Sequence, residues 1–145
     1  MARYFTLDEA ERLLPEIDRL LDEVIEVRRR HTDADNELSR FTNRIQMMGG
    51  SIVHPADILQ LRTRRDTAAR ELNERVDALQ AYGCTLKDMD LGLVDFPTLY
   101  HGEEVCLCWR KGETAIEFWH GPREGYRGRK PIDEEFRANH RGGVQ

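Results

Sequence analysis

The sequence predicts an α+β fold, in which a long antiparallel helical hairpin is followed by a small antiparallel β-meander packed at one end of it. Up to Tyr82, apolar residues recur at steps of three and four, which is the spacing of amphipathic helices. From Cys84 onward the pattern changes to short β-branched and aromatic runs separated by glycines. The composition agrees, because 34% charged residues and a mean hydropathy of -0.67 are typical of long solvated helices.

The first helix is predicted to begin at Leu7 and to be kinked near Pro15. Thr6 and Glu9 have the spacing of a capping box, in which each side chain bonds to the backbone amide of the other residue. Pro15 lacks a backbone donor, so we expect it to kink the helix or to divide it into a short and a long piece. The apolar seam of this helix comprises Leu7, Ala10, Leu14, Ile17, Leu21 and Val24.

Further along the helix, the same spacing places charged residues in the seam. Arg28, His31 and Asp35 occupy it before Leu38 restores the apolar pattern. Either the helix is solvated on all sides here, or these side chains form a buried polar layer that sets the pairing register. We favour the solvated helix, because charged residues are rarely buried.

A glycine turn is predicted to reverse the chain between the two helices. Gly49 and Gly50 suit the helix end and the turn, Pro55 suits the first position of the second helix, and Gly83 ends that helix. Two helices alone cannot cover both apolar stripes, so the remaining surface should meet the β segment or another subunit. We therefore predict a homodimer or a higher homo-oligomer formed through the helices.

The β segment is predicted to contain three main strands, preceded by a short strand within "CTLKD". The main strands run from Leu93 to Tyr100, from Glu103 to Arg110 and from Thr114 to His120. If Lys111 and Gly112 form a two-residue turn, the last two strands have Val105 opposite Phe118. That register gives an apolar face of Val105, Leu107, Trp109, Ile116 and Phe118, with Cys106, Cys108 and Trp119 on the other face.

Polar residues from this segment and from the loop after it form a candidate binding site. His120 ends the last strand, and Gly121, Gly125 and Gly128 allow the loop's backbone amides to converge on a ligand. We expect a site for a small anionic or phosphate-bearing ligand, made by Lys87, Asp88, Asp95, His120, Arg127 and Arg129. The alternative is structural, since Arg127 and Arg129 could strap the tail to the sheet by pairing with Asp88, Asp90 or Asp95.

We expect no metal site and no cofactor. Cys106 and Cys108 share a face, but residues two apart on a strand lie about 6.5–7 Å from each other, which is poor for two sulfurs on one tetrahedral ion. Cys84 has no adjacent base. Glu113 faces Arg110 in the predicted hairpin, which favours an ion pair over a catalytic acid.

Nearly the whole chain resembles a prokaryotic family, domain of unknown function 2203. The resemblance extends from Thr6 to Ile132 and is most specific in "GCTLKDMDLGLVDFP", "VCLCW", "WH" and "GYRGRKPI". It implies no established activity. Some members carry a cell-division label, for which these residues supply no mechanism. The resemblance does imply fixed polar positions in the β half, namely Lys87, Asp88, Asp95, Glu113, His120 and Arg129.

Together these observations predict one domain over residues 1–132, with a helical hairpin at 6–83, a β cap at 84–121 and a Gly/Arg loop at 121–132. Residues 133–145 are expected to form a partly disordered tail. The lack of enzyme motifs favours a homo-oligomeric interaction or scaffold module over an enzyme. The alternative is a small-ligand-binding protein or metal-assisted enzyme with its site at the end of the sheet.

Location and partner classes follow from charge and composition. A net charge of -5, with acidic residues interleaved among the arginines, argues against nucleic-acid binding. No segment has the apolar length of a membrane span or of a signal peptide. Three cysteines are few for a secreted disulfide framework, so we expect a cytoplasmic protein.

Overall fold

The computed structural model describes residues 3–49 and 55–144 and confirms the α+β class. The predicted glycine turn is described only as far as Gly49, and Gly50 lies outside the described residues. The elements in chain order are β1 (Arg3–Tyr4), α1 (Leu7–Met47), α2 (Pro55–Gln80), β2 (Thr85–Asp88), β3 (Leu93–Tyr100), β4 (Glu103–Arg110), β5 (Phe118–His120), β6 (Lys130–Pro131), α3 (Glu134–Asn139), β7 (His140–Arg141) and β8 (Gly143–Val144).

The start of α1 has the predicted capping box. The amide of Thr6 donates to Glu9 Oε1 at 3.0 Å, and the amide of Glu9 donates to Thr6 Oγ1 at 3.1 Å. α1 is continuous through Pro15, so the proline does not divide it. Leu14 and Ile17 are both buried, and their packing holds the helix where Pro15 removes one backbone hydrogen bond.

The chain divides into two compact units, one formed by residues 1–21 and 77–145 and the other by residues 22–76. In the second unit, α1 and α2 run antiparallel. Arg30 pairs with Glu71 at 2.8 Å, and Glu37 pairs with Arg64 at 3.0 Å. Residues further along α1 thus pair with residues earlier in α2, as expected for antiparallel helices.

The charged residues in the seam of α1 do not form a buried layer. Asp35 is exposed, and Arg28 and His31 are partly exposed. The buried line passes instead through Ala34 and Leu38. Neither interpretation holds in full, because the three charged residues form no buried layer and the burial of Ala34 and Leu38 leaves the helix solvated on only part of its surface.

The first unit is built on an antiparallel sheet in the order β2-β3-β4-β5-β6, with β7 paired to β3. A second, two-stranded sheet pairs β1 with β8. The predicted bounds of the two central strands match β3 and β4, and "CTLKD" contributes β2. Phe5 and Phe96 are fully buried and meet edge to face, with ring centroids 5.4 Å apart, in the core of this unit.

The predicted register between the last two main strands is wrong. In the structure Leu107 lies opposite Trp119 and Cys106 lies opposite His120. The predicted two-residue turn is replaced by a longer connection, because Trp109 Nε1 donates to the carbonyl of Glu113 at 2.9 Å and Ile116 is buried within the loop. The observed pairing is shifted from the predicted one by an odd number of residues. Phe118 and His120 therefore lie on the face that carries the two cysteines.

The segment after Ile132, which the sequence predicts to be partly disordered, forms α3, β7 and β8. Asp133 caps α3 by accepting the amide of Phe136 at 2.8 Å. Phe136 is fully buried and stacks on Trp119 at 5.1 Å between centroids. His140 Nε2 accepts the amide of Leu7 at 2.9 Å. One aromatic side chain and one histidine thus fix this segment to the rest of the unit.

Candidate functional site

Three neighbouring strands bring an acid, two thiols and an imidazole to one face of the sheet. Asp95 on β3 lies opposite Cys108 on β4, and His120 on β5 lies opposite Cys106 on β4. Asp95 and His120 therefore flank β4 diagonally. They meet across it, with 3.0 Å between His120 Nε2 and Asp95 Oδ1, and each side chain is only 4% exposed.

The surroundings of His120 define its hydrogen positions. Its Nδ1 lies 2.7 Å from the carbonyl oxygen of Gly121, which can only accept, so Nδ1 carries a hydrogen and donates it. Hydrogen bonding to Asp95, followed by that to Cys108, raises the pKa of His120 to about 10, although burial acts in the opposite direction. The imidazole is thus held as a cation beside the carboxylate.

Cys106 places a sulfur atom beside this pair of side chains. Its Sγ, a carboxylate oxygen of Asp95 and a ring nitrogen of His120 all lie within 4.8 Å of one another. Burial, reinforced by the charge of Asp95, raises the pKa of the Cys106 thiol to about 12. Without a further cation, Cys106 is therefore a neutral thiol and a weak nucleophile at neutral pH.

A small cavity opens beside the Asp95–His120 pair. Its volume is about 120 Å³. Lys87, which lies at a bulge in β2 between Leu86 and Asp88, contributes a cation to its wall. The complete lining consists of Lys87, Leu93, Asp95, Cys108, His120, Pro122, Gly125 and Tyr126. The cavity thus combines two cationic groups, one carboxylate, one thiol and one phenol.

Arg129 does not line this cavity. Its Nη2 donates to both carboxylate oxygens of Glu113, at 2.7 and 3.0 Å, and its guanidinium lies 4.2 Å above the ring of Phe118. The predicted ion pair between Glu113 and Arg110 is wrong, because Glu113 accepts the backbone amide of Arg110 and its charge is balanced by Arg129. Arg129 therefore straps the loop to the sheet, but through Glu113 and not through the aspartates considered from sequence.

Asp88 and Arg127 also lie away from the cavity wall. Asp88 Oδ1 accepts the amides of Asp90 and Leu91, at 2.8 and 2.9 Å, and so shapes the turn before β3. Arg127 is exposed on a 3-10 turn, Tyr126–Gly128. Of the six candidate residues, Lys87, Asp95 and His120 come together at the cavity.

Sequence reasoning missed Cys106, Cys108 and Tyr126 as neighbours of His120. Part of the signal was present, because a two-residue turn at His101 and Gly102 between the predicted strands places Asp95 opposite Cys108. The proximity of Cys106 to His120 depended on the register of β5, which could not be derived from sequence because a long connection precedes this strand.

Further findings concern membrane-spanning helices and the comparison with known proteins. Within residues 3–49 and 55–144, no helix combines the length and apolar character that crossing a membrane needs. The family model described as "Uncharacterized conserved protein (DUF2203)" matches residues 3–132, in agreement with the resemblance noted from sequence. No curated protein and no solved structure matches the chain. The chain therefore belongs to the DUF2203 family of uncharacterized conserved proteins.

Proposed function

We propose that this protein binds a small anionic ligand in the cavity beside Asp95 and His120. The observation that carries the proposal is the charge at the cavity wall. Lys87 and the protonated His120 supply two positive charges, and Asp95 supplies one negative charge. A concave site with an excess of positive charge attracts anions and holds them more strongly than a flat surface does.

Tyr126 adds a donor to the same wall. Arg110 Nη1 donates to the Tyr126 hydroxyl at 3.1 Å, which occupies an acceptor position of the phenol oxygen. The phenol hydrogen therefore remains able to donate to a ligand. A ligand rich in acceptor oxygens, such as phosphate or a carboxylate, matches these donors.

The size of the cavity limits the ligand. Pockets that enclose drug-sized molecules have volumes of about 300–1,000 Å³, whereas this cavity has about 120 Å³. It suits inorganic phosphate, bicarbonate or a short carboxylate. A larger phosphate ester would place only its phosphate inside.

The test is a comparison of thermal unfolding with and without inorganic phosphate. We expect phosphate to raise the Tm of the wild type, since a ligand at about 100 times its Kd stabilises the folded state by about 2.7 kcal/mol. Lys87→Ala should lose this shift. Arg123→Ala is the matched control, because it removes an exposed cation from the loop that contributes Pro122 and Gly125 to the wall, without touching the wall itself.

The same experiment is repeated with bicarbonate, acetate and sulfate in place of phosphate. A Tm unmoved by every one of these anions would refute the proposal. So would an equal shift for Lys87→Ala and the wild type.

We propose homo-oligomerisation through the helices as a second function. It is favoured by apolar side chains of the second unit that stay accessible to solvent. Leu59 is 66% and Ile25 is 37% exposed, and Leu72 and Val76 are partly exposed. Sedimentation velocity should show a dimer or larger species that Leu59→Glu weakens. A wild-type protein that stays monomeric at high micromolar concentration would contradict it.

A cytoplasmic location is part of the same proposal. The cysteines Cys84, Cys106 and Cys108 are all free, which suits a reducing compartment. Cell fractionation with a compartment-specific antibody control tests the location directly.

A further inference from the structure

We propose that Asp95, Cys106 and His120 bind a divalent transition metal ion, with zinc as the best match. The metal site goes beyond the proposed anion site and does not depend on it, because Cys106 is not part of the cavity wall and no anion is needed as a ligand. It also revises the expectation from sequence, which considered Cys106 only in combination with Cys108.

The three donors are already close to the spacing that a metal needs. With Zn–N, Zn–O and Zn–S distances of about 2.0–2.3 Å, the donors of a tetrahedral site lie about 3.3–3.8 Å apart. Here the three donor atoms lie within 4.8 Å of one another. The backbone of each donor is fixed in a hydrogen-bonded strand, β3, β4 or β5. Small rotations of the side chains about χ1 are therefore enough to close the set around an ion.

His120 is oriented as a metal ligand. Its Nδ1 donates to the carbonyl of Gly121, and its Nε2 points at the carboxylate of Asp95. In metal sites the ring nitrogen that does not bind the ion commonly makes such a bond, which fixes the ring and its tautomer. A metal ion would take the position between Nε2 and Oδ1 that a proton holds in the free protein.

Burial gives a reason for this cluster to exist. Asp95 and His120 are each 3% exposed, and removing a carboxylate and an imidazolium from water is unfavourable by several kcal/mol per ion. Hydrophobic residues of similar size would fill the same space without that penalty. A bound cation would compensate the buried carboxylate and a thiolate through direct bonds.

The donor types narrow the choice of metal. One sulfur, one nitrogen and one oxygen suit zinc and its neighbours in the first transition row. Calcium and magnesium prefer sites made of oxygen alone, so the thiol and the imidazole argue against them. Three protein ligands leave a fourth position open, as in catalytic zinc sites. Asp95 and His120 also line the cavity, so that position would be accessible to a small anion or water.

The test is cobalt binding by the full chain after treatment with a chelator. We expect one Co²⁺ per chain, with the near-ultraviolet charge-transfer band of a thiolate ligand and the visible bands of four-coordinate cobalt. Zinc should displace the cobalt and abolish the charge-transfer band and the visible bands. Cys106→Ala should lose the charge-transfer band and bind zinc more than about 100-fold more weakly, since even indirect partners of ligands contribute 10–100-fold.

Two cysteine variants serve as controls. Cys84→Ala removes a thiol that bonds to the carbonyl of Leu79 and should leave the band unchanged. Cys108→Ala removes a cavity-wall thiol outside the set of three and should also keep it. A wild-type protein without the charge-transfer band overturns the proposal. A band that survives in Cys106→Ala but disappears in Cys108→Ala overturns the ligand assignment.

Folding and the anion site are controlled separately. Cys106 is partly exposed, so its replacement by alanine should preserve the far-ultraviolet circular dichroism of the chain. Lys87→Ala should keep the cobalt band when phosphate is absent. Loss of the phosphate shift with an intact cobalt band would thus contradict only the anion proposal, and the reverse result only the metal proposal.

Discussion

Replacing Phe136 by alanine should destabilise the whole first unit. The Phe136 ring is fully buried and contacts Trp119, Tyr100 and His140, at centroid distances of 5.1, 4.6 and 5.3 Å. Truncation of a buried phenylalanine to alanine generally reduces the free energy of unfolding by about 3–5 kcal/mol. With a urea m-value of about 2 kcal/mol/M, the unfolding midpoint should fall by roughly 2 M.

The measurement is urea unfolding followed by circular dichroism and by tryptophan fluorescence, because Trp119 is a direct neighbour of Phe136. Arg137→Ala on the same helix is the control, since Arg137 is exposed and its loss should change the free energy of unfolding by less than about 0.5 kcal/mol. A loss of under about 1 kcal/mol for Phe136→Ala would refute the reasoning and show that α3 does not contribute to the core.

Three further predictions concern the strap, the acid limit of stability and thiol reactivity. Arg129→Ala leaves the carboxylate of Glu113 without its ion pair and should lower the free energy of unfolding by about 1–3 kcal/mol in urea titrations. The capping hydrogen bonds hold the pKa of Glu9 below its usual value. The stability that Glu9 contributes is therefore present above pH 4.5 and is lost as the pH falls through the lowered pKa. Glu9→Gln should flatten the fall in Tm on acidification. Burial raises the pKa of Cys84 to about 11 and that of Cys106 to about 12, so both should react with iodoacetamide at pH 8 far more slowly in the native chain than in denaturant, as mass spectrometry can measure.

Local signals in the sequence were sufficient for much of the fold. The capping box at Thr6 and Glu9 involves residues three apart, and the two-residue turn at His101 and Gly102 has φ values of 52° and 79°, which suit the twist of a hairpin. Both features are determined by their own residues. The helix start and the pairing of β3 with β4 were therefore accessible without knowledge of the tertiary structure.

The register of β5 required tertiary information. Lys111 and Gly112 satisfy the rule for a tight turn, but burial of Ile116 and the bond from Trp109 to the carbonyl of Glu113 favour a longer connection. The error moved His120 to the wrong face and separated it from Cys106. Half of the candidate site was therefore found by residue type, and the metal-binding set required the observed pairing.

The structure of the segment after Ile132 was not predicted, for a different reason. α3 has six residues, too few for a periodic signal, and its stability comes from one buried ring and one capping carboxylate. Composition alone gives such a segment the appearance of a polar extension.

The division of the chain has a consequence for how its length can change. Both α1 and α2 pass between the two units, and every residue of the cavity and of the metal-binding set belongs to the unit that excludes residues 22–76. Matched insertions or deletions of whole helical turns in that stretch alter no strand pairing. A change in the length of both helices can therefore leave the chemistry of the sheet unchanged.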